Sequence, residues 1–255
     1  MKYEMPFRVR VYECDPRGRL SLPSLLNYMQ EIAAAHTVEL HITVPELLPR
    51  GLTWMVTRHH IVIDRYPAYM DELRMSTWVA EHRGRFSIRD FTLGDGSPEP
   101  AVRISSSWVL YDLKRKRPVD DIAEALPLDI IVPERAVRDD FPSLPLVEDP
   151  AYERTLQVRR ADLDINRHVN NRVFAEWTLE SVPPAVAEDH DVSGLEIAFK
   201  GQAFYGENIL SGCKPVHEKE QDPVLRHIIR NDKGRLIAKA ATQWRKSPDK
   251  PLKFV

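Results

Sequence analysis

Cysteine is nearly absent from this chain, which has only two among its 255 residues, Cys14 and Cys213. Two cysteines are too few for a disulfide framework, and these two lack the paired spacing of a zinc site. We therefore expect two buried thiols, no metal site and no cofactor.

Long apolar runs are also missing. Residues 1–8 contain no stretch of signal-peptide length, and no later run approaches the roughly 20 apolar residues that span a membrane. The sequence therefore predicts a cytoplasmic protein with no membrane partner.

Neither sign of charge dominates, because the formal net charge is −2. This balance gives no support for nucleic acid as a partner, and the basic run 114–117 is typical of a solvated surface. Hydrophobic residues make up 43% of the chain, which is enough to bury a core. The length allows one large domain or two of ordinary size.

The chain does contain an internal duplication. One alignment of the chain with itself superposes three apparent strands and places Trp108 on Trp244. Nearer the N-terminus, a slightly different register places Asp15 on Asp162 and brings the helix-like segment 22–39 near a second apolar segment. Each copy therefore gives a short strand, a helix and then several strands of alternating pattern.

This order of elements predicts an α+β fold in which one long antiparallel sheet wraps around one helix in each copy. We place an N-terminal domain at residues 1–118 and a C-terminal domain, with the polar motif described next, at residues 151–255. Five prolines within segment 119–150 indicate an extended connector between the two domains.

One short polar run, residues 162–171, contains the candidate catalytic side chains. In an extended segment alternate side chains share one face, so an acid, an amide and an imidazole would converge, with Leu163 and Ile165 on the other face. The register that places Asp15 on Asp162 gives the first copy arginine, arginine and serine instead, so we expect only the second copy to be active. The predicted polar face consists of Asp162, Asp164, Asn166 and His168, and the residues aligned with the last three are Arg17, Arg19 and Ser21.

An amphipathic helix follows, with apolar spacing over residues 173–182. Its N-terminus offers free backbone N–H groups and the positive end of the helix dipole, which suit a developing oxyanion. We expect the amides of Val169, Asn170 and Asn171 to bind a substrate carbonyl oxygen. The alternative is structural, because Asp and Asn are common in turns and at helix N-caps.

Residues 160–171, followed by Trp177 and segment 180–183, resemble the signature of acyl-ACP thioesterases, the plant enzymes and their bacterial relatives. Segment 57–67 resembles the same family, and the likeness covers most of the chain. The resemblance implies a tandem hotdog fold and hydrolysis of fatty acyl-ACP to free fatty acid and ACP, a step of fatty acid biosynthesis. It also implies active-site roles for Asp164, Asn166 and His168.

Two neighbouring positions depart from the family pattern. The family commonly has a catalytic Glu where this chain has Gln202, and the plant pattern has a Cys where this chain has Ala203. A Gln cannot act as a general base. Three options stay open: Asp164 or His168 activates water, Glu207 substitutes, or hydrolysis is slow or absent. We keep Gln202 as a candidate catalytic-site residue that orients water.

The resemblance further implies acyl carrier protein, with its fatty acyl chain, as the partner. Acyl carrier proteins are acidic, and Arg160 and Arg172 flank the motif as candidate substrate-binding residues, together with Arg159 and Arg167. A solvated surface is the alternative for these charges. An acyl-CoA thioesterase and a non-catalytic acyl-binding protein are the competing functions, and a homodimer is an assembly that the sequence allows.

Overall fold

The computed structural model describes residues 1–126, 129–216 and 222–248. It divides the chain into two compact units, of which the first comprises residues 1–14 and 27–141 and the second comprises residues 15–26 and 142–255. The second unit thus includes a segment that lies within the predicted N-terminal domain. Residues 127–128 of the predicted connector and residues 217–221 and 249–255 of the predicted C-terminal domain lie outside the described residues.

The first unit is built on an antiparallel sheet. Its described strands are β1 (Tyr3–Arg8), β2 (Leu52–Ile63), β3 (Glu72–Arg83), β4 (Phe86–Gly94), β5 (Val102–Asp112) and β6 (Arg117–Pro118). They lie in the order β1-β3-β4-β5-β2, and β6 pairs with β5. Its helices are α1 (Leu22–Glu39), which enters this unit at Asn27, α2 (Val44–Leu47) and α3 (Ile122–Ala125).

The second unit has a similar antiparallel sheet. Its helices are α4 (Asn171–Glu180) and α5 (Pro184–Asp189), and its described strands are β7 (Tyr152–Gln157), β8 (His190–Phe199), β9 (Asn208–Pro215), β10 (Val224–Asn231) and β11 (Leu236–Lys246). The strand order is β8-β11-β10-β9-β7. Each of these strands has one counterpart in the order β2-β5-β4-β3-β1, so the two units share one topology.

Local hydrogen bonds confirm the duplication. The indole N–H of Trp108 donates to the hydroxyl of Ser106 at 2.7 Å, and the indole N–H of Trp244 donates to the hydroxyl of Thr242 at 2.8 Å. Both pairs lie on the last long strand of their unit, and the register predicted from the sequence places one pair on the other. The fold class is α+β, a tandem hotdog, as predicted.

The helices lie against the sheets through apolar faces. In the second unit, α4 packs on β9 and β10 and buries Phe174 and Trp177. In the first unit, Tyr28 of α1 stacks on Phe7 of β1 with ring centroids 4.3 Å apart. Full burial of one large apolar side chain contributes roughly 1.5–3 kcal/mol. None of the described helices is long and apolar enough to cross a membrane.

The segment between the predicted domains is attached to the first unit over its first part. After α3, the amide of Val132 donates to the carbonyl of Val79 at 2.9 Å, and the indole N–H of Trp78 donates to the carbonyl of Glu134 at 2.8 Å. These contacts explain why the first unit extends to Phe141. Proline keeps this segment out of regular sheet, but the amides of Val132 and Ala136 still find acceptors.

The segment of residues 15–26 is tied to the second unit by an ion pair. The Arg19 guanidinium donates to both carboxylate oxygens of Asp191, at 2.7 and 2.8 Å. Asp191 is buried, and the hydroxyl of Ser247 donates to it at 2.8 Å. A buried carboxylate needs such partners, because an unpaired buried charge is strongly destabilising.

Candidate active site

The polar motif is a tight loop rather than an extended segment. The amide of Asp164 donates to the carbonyl of His168 at 2.8 Å, and Arg167 adopts the left-handed region with a φ of 62°. Asp162 is only 1% exposed, whereas Ile165 is 98% exposed. The predicted alternation of a polar and an apolar face is therefore wrong, because the chain turns back between Asp164 and His168.

The carboxylate of Asp164 organises this loop. Its Oδ1 accepts the amides of Asn166 at 2.8 Å and of His168 at 3.4 Å, as Asp side chains often do in turns. Within the described ranges, its Oδ2 accepts no hydrogen bond. No hydrogen bond joins the side chains of Asp164, Asn166 and His168 in the part of the chain that the structure describes. The backbone of one loop brings the three residues together.

The first copy of the duplication contains the same loop. The amide of Asp15 donates to the carbonyl of Arg19 at 2.7 Å, and Oδ1 of Asp15 accepts the amides of Arg17 at 2.9 Å and Arg19 at 3.0 Å. Gly18 has a φ of 75° at the place of the left-handed arginine. Two loops with one hydrogen-bonding pattern therefore begin two equivalent helices.

This equivalence corrects the predicted alignment. The first helical residues, Leu22 and Asn171, correspond, as do the first residues of the strands before the loops, Tyr3 and Tyr152. In this register Asp15 lies on Asp164 rather than on Asp162. The first copy therefore keeps the acid and lacks only the amide and the imidazole. The corrected pairs are Asp15 with Asp164, Arg17 with Asn166, and Arg19 with His168.

Helix α4 begins at the end of the loop with Asn170 as its N-cap. The amide of Val169 already donates to the carbonyl of Ala203 at 3.1 Å, and the amide of Asn170 donates to the carbonyl of Asp162 at 2.8 Å. The amide of Asn171 has no acceptor among the described residues. Of the three predicted oxyanion donors, Asn171 is therefore the one whose amide has no acceptor within the described ranges.

A second segment, residues 202–204, lies against the loop. Besides the bond from Val169 to the carbonyl of Ala203, the ring of Phe204 meets the imidazole of His168 edge to face, with centroids 5.3 Å apart. Gln202 is exposed at the start of this segment, and its side chain forms no hydrogen bond with the loop within the described residues. No sequence pattern indicated the contact of Phe204 with His168.

The side chain of Glu207 stabilises a turn. Its carboxylate accepts the amide of Phe204 at 3.0 Å. In the first copy, Asp71 accepts the amide of Ala68 at 2.8 Å, and the register that places Trp108 on Trp244 relates the two contacts. Because the copy without the imidazole has the same contact, the position of Glu207 is explained by the fold alone.

Two of the four arginines near the motif are engaged in ion pairs. Arg159 donates to the buried carboxylate of Asp162 at 2.7 Å. Arg172 pairs with Glu176 one turn along α4. Burial raises the pKa of the Glu176 carboxyl, and the Arg172 guanidinium opposes this rise. Their charges are therefore largely compensated within the chain.

The other two arginines are not compensated in this way. The guanidinium of Arg160 stacks on the ring of Tyr205 at 4.3 Å from its centroid. Arg167 is exposed at the tip of the loop. Neither side chain forms an ion pair with a carboxylate among the described residues.

Neither cysteine is placed for nucleophilic catalysis. Cys213 is buried, its thiol donates to the carbonyl of Ser181 at 3.0 Å, and burial raises its pKa to about 11. Little thiolate is present at neutral pH under those conditions. Cys14 is only half-buried, so the prediction of a buried thiol is wrong for that residue, which follows a short surface turn.

Within the described residues, the site therefore combines one carboxylate with an open oxygen, one unpaired helix N-terminal amide, and an imidazole and an amide side chain on the loop between them. Such a set can accept a proton from water and stabilise negative charge on a carbonyl oxygen.

Two models of known protein families match most of the chain. Residues 1–126 match the acyl-ACP thioesterase N-terminal domain, and residues 148–246 match the acyl-ACP thioesterase C-terminal domain. The chain belongs to the acyl-ACP thioesterase family. The two matched regions of this acyl-ACP thioesterase family member each contain one of the two equivalent loops and helices.

Curated relatives and solved structures of the family are similar over nearly the whole chain. An acyl-[acyl-carrier-protein] hydrolase of Cuphea viscosissima is 27% identical over 95% of this chain and 62% of its own length. The chain thus spans about 62% of the length of the first relatives that it matches. An oleoyl-acyl carrier protein thioesterase of Coriandrum sativum is 29% identical over 100% of this chain and 72% of its own.

Two solved structures share the fold. The 12:0-ACP thioesterase from Umbellularia californica superposes with a TM-score of 0.86 at 25% identity, covering 96% of this chain and 98% of its own. An acyl-ACP thioesterase from Bacteroides thetaiotaomicron superposes with a TM-score of 0.84 at 19% identity over the same shares. These superpositions support the tandem hotdog fold of this family member.

Proposed function

We propose that this chain hydrolyses the thioester of fatty acyl-ACP to free fatty acid and ACP by direct attack of water. One observation on the described residues carries the proposal: the open carboxylate oxygen of Asp164 and the unpaired amide of Asn171 stand at the two ends of one loop. One loop thus supplies both a base for water and a donor for the carbonyl oxygen. Membership of the family supports the substrate class.

The reaction proceeds in two steps. Oδ2 of Asp164 accepts a proton from water while the water oxygen attacks the thioester carbon, and the carbonyl electron pair moves to oxygen. The amide of Asn171 donates to this oxyanion. When the tetrahedral intermediate collapses, the carbon–sulfur bond breaks and the thiolate receives the proton from Asp164. No covalent enzyme intermediate forms.

The remaining polar residues orient the reactants. Asn166 and His168 lie on the loop between the base and the amide donor, and Phe204 packs against the imidazole and limits its movement. Gln202 contributes a neutral hydrogen-bond acceptor for water from the neighbouring segment. Glu207 is assigned no catalytic role, because its turn contact recurs at Asp71.

Replacing Gln202 tests where the base resides. If Asp164 is the base, Gln202→Glu changes kcat/KM for acyl-ACP by less than about threefold or lowers it, because a second nearby carboxylate raises the pKa of one of the two. Steady-state kinetics of Gln202→Glu and Gln202→Ala measure this. A gain above about tenfold for the Glu variant alone shows that the missing Glu limits the wild type and refutes Asp164 as a sufficient base.

A substrate panel tests the proposed function itself. Free thiol is measured after mixing the protein with acyl-ACP or acyl-CoA of matched chain length, and we expect faster release from acyl-ACP. Higher kcat/KM for acyl-CoA identifies an acyl-CoA thioesterase instead. Binding of the acyl chain without thiol release identifies a non-catalytic acyl-binding protein. A cytoplasmic location and a homodimer remain further proposals.

A further inference from the structure

Comparison of the two copies of the loop shows which features both copies share and which side chains are present in only one of them. Both loops have the same backbone hydrogen bonds and lead into a helix, so either set of side chains is compatible with this conformation. Outside the catalytic trio, the copies differ in charge at two exposed places. The second copy has Arg160 and Arg167 where the first has Val11 and Gly18.

The backbone of Arg167 makes this difference informative. Its φ of 62° lies in the left-handed region, which glycine adopts readily and residues with a side chain disfavour. The first copy has glycine there, with a φ of 75°. The backbone conformation of the loop therefore does not account for an arginine at this position.

Arg160 and Arg167 both carry a positive charge that no neighbouring carboxylate among the described residues neutralises, as expected of a binding surface. Arg160 and Arg167 have no carboxylate partner among the described residues, whereas Arg159 and Arg172 are paired. The stack on Tyr205 holds the Arg160 guanidinium without neutralising it. Their positive charge is therefore available to an external anion.

Exposed apolar groups accompany the two cations. Ile165, at the tip of the loop, is 98% exposed, and Tyr205 is 53% exposed. A small phosphate group would be bound by donors that converge on one point. The two cations here lie on separate segments, and each has a large apolar side chain beside it. This arrangement fits the surface of a protein instead, because protein–protein interfaces combine apolar and aromatic contacts with arginine.

We propose that Arg160, Ile165, Arg167 and Tyr205 form a docking surface for an acidic face of the acyl carrier protein. This inference rests on the proposed function, and it adds a carrier site that adjoins the catalytic loop. Acidic carboxylates of the carrier complement the two uncompensated cations, and its apolar residues cover the isoleucine and the tyrosine. Arg172 is excluded from this surface, because Glu176 already holds it.

The test compares three substrates with one acyl chain: acyl-ACP, acyl-CoA and acyl-pantetheine, which has neither protein nor phosphate. Arg167→Gly and Arg160→Glu should each lower the ratio of kcat/KM for acyl-ACP to that for acyl-pantetheine by about three- to tenfold at low salt, and less at high salt. The ratio for acyl-CoA to acyl-pantetheine should hold. Arg167→Gly should also unfold at the same or a higher temperature, because glycine suits this φ.

Arg226→Glu is the matched control, since Arg226 is an exposed arginine on β10 that also has no carboxylate partner among the described residues. An equal fall of the acyl-ACP ratio in this variant shows that only overall charge matters and overturns the proposal. If kcat/KM falls equally for acyl-ACP and acyl-CoA but not for acyl-pantetheine, the arginines bind a phosphate group. If kcat/KM falls equally for all three substrates, the arginines support the loop. Either result also overturns the proposal. Failure of the wild type to hydrolyse any of the three substrates refutes the proposed function separately.

Discussion

Asp164→Asn is expected to lower kcat for thioester hydrolysis by about 10²- to 10⁴-fold, the range that a positioned general base contributes. The substitution keeps an oxygen that can accept the amides of Asn166 and His168, so the loop retains its shape. It removes the charge that accepts the proton from water. Single-turnover measurement of thiol release, with the thermal unfolding curve as a check of the fold, gives the result.

The duplication supplies the control for this experiment. Asp15→Asn makes the same chemical change in a loop with the same backbone hydrogen bonds but without the imidazole and the amide; there Oδ2 accepts the Arg19 guanidinium at 3.0 Å, so the thermal unfolding curve of this variant is measured as well. It should leave kcat within about twofold of the wild type, since a base acts only where water and substrate meet. Wild-type turnover in Asp164→Asn, or equal losses in both variants, would show that the carboxylate only stabilises a turn.

Asn171→Pro is expected to lower kcat by about 10²- to 10³-fold, which is the usual effect of removing one oxyanion donor. Proline lacks the amide hydrogen, and it is well tolerated at the first position of a helix, where Asn171 lies. The preceding residue, Asn170, has a φ of −63° and a ψ of 142°, which suit a residue before proline. The variant therefore removes the donor while the helix remains.

Asn171→Ala is the matching control, because it removes the side chain and keeps the amide. We expect its kcat to stay within a few fold of the wild type, and circular dichroism to show equal helix content in both variants. If the Ala variant is as slow as the Pro variant, the side chain is the active group. If both are fast, the carbonyl oxygen is bound elsewhere.

Much of the fold was predictable because it depends on periodic patterns. The helix-like segment predicted at residues 22–39 coincides with α1, Leu22–Glu39, and the predicted register relates true counterparts such as Trp108 and Trp244. The unit boundary was not predictable. It depends on where residues 15–26 and the segment before Phe141 find partners, and composition carries no information about such contacts.

The composition of the site was easier to predict than its shape. Asp164, Asn166 and His168 do share one loop, but a pattern of alternating residues cannot distinguish a strand from a turn closed by an aspartate side chain. The glycine at position 18 was an available signal. Aligned with Arg167, it indicates a left-handed residue and hence a turn, and it also gives the corrected register of the two loops.

The ion pair between Arg19 and Asp191 has a consequence for folding cooperativity. Residues 15–26 belong to the second unit although the first unit occupies the chain on both sides of them, so the two units are interleaved in sequence. A fragment that starts at Pro142 would leave the buried carboxylate of Asp191 without its guanidinium partner, a loss that typically amounts to about 3–5 kcal/mol. The C-terminal copy of the duplication therefore depends for its stability on residues that the N-terminal copy supplies.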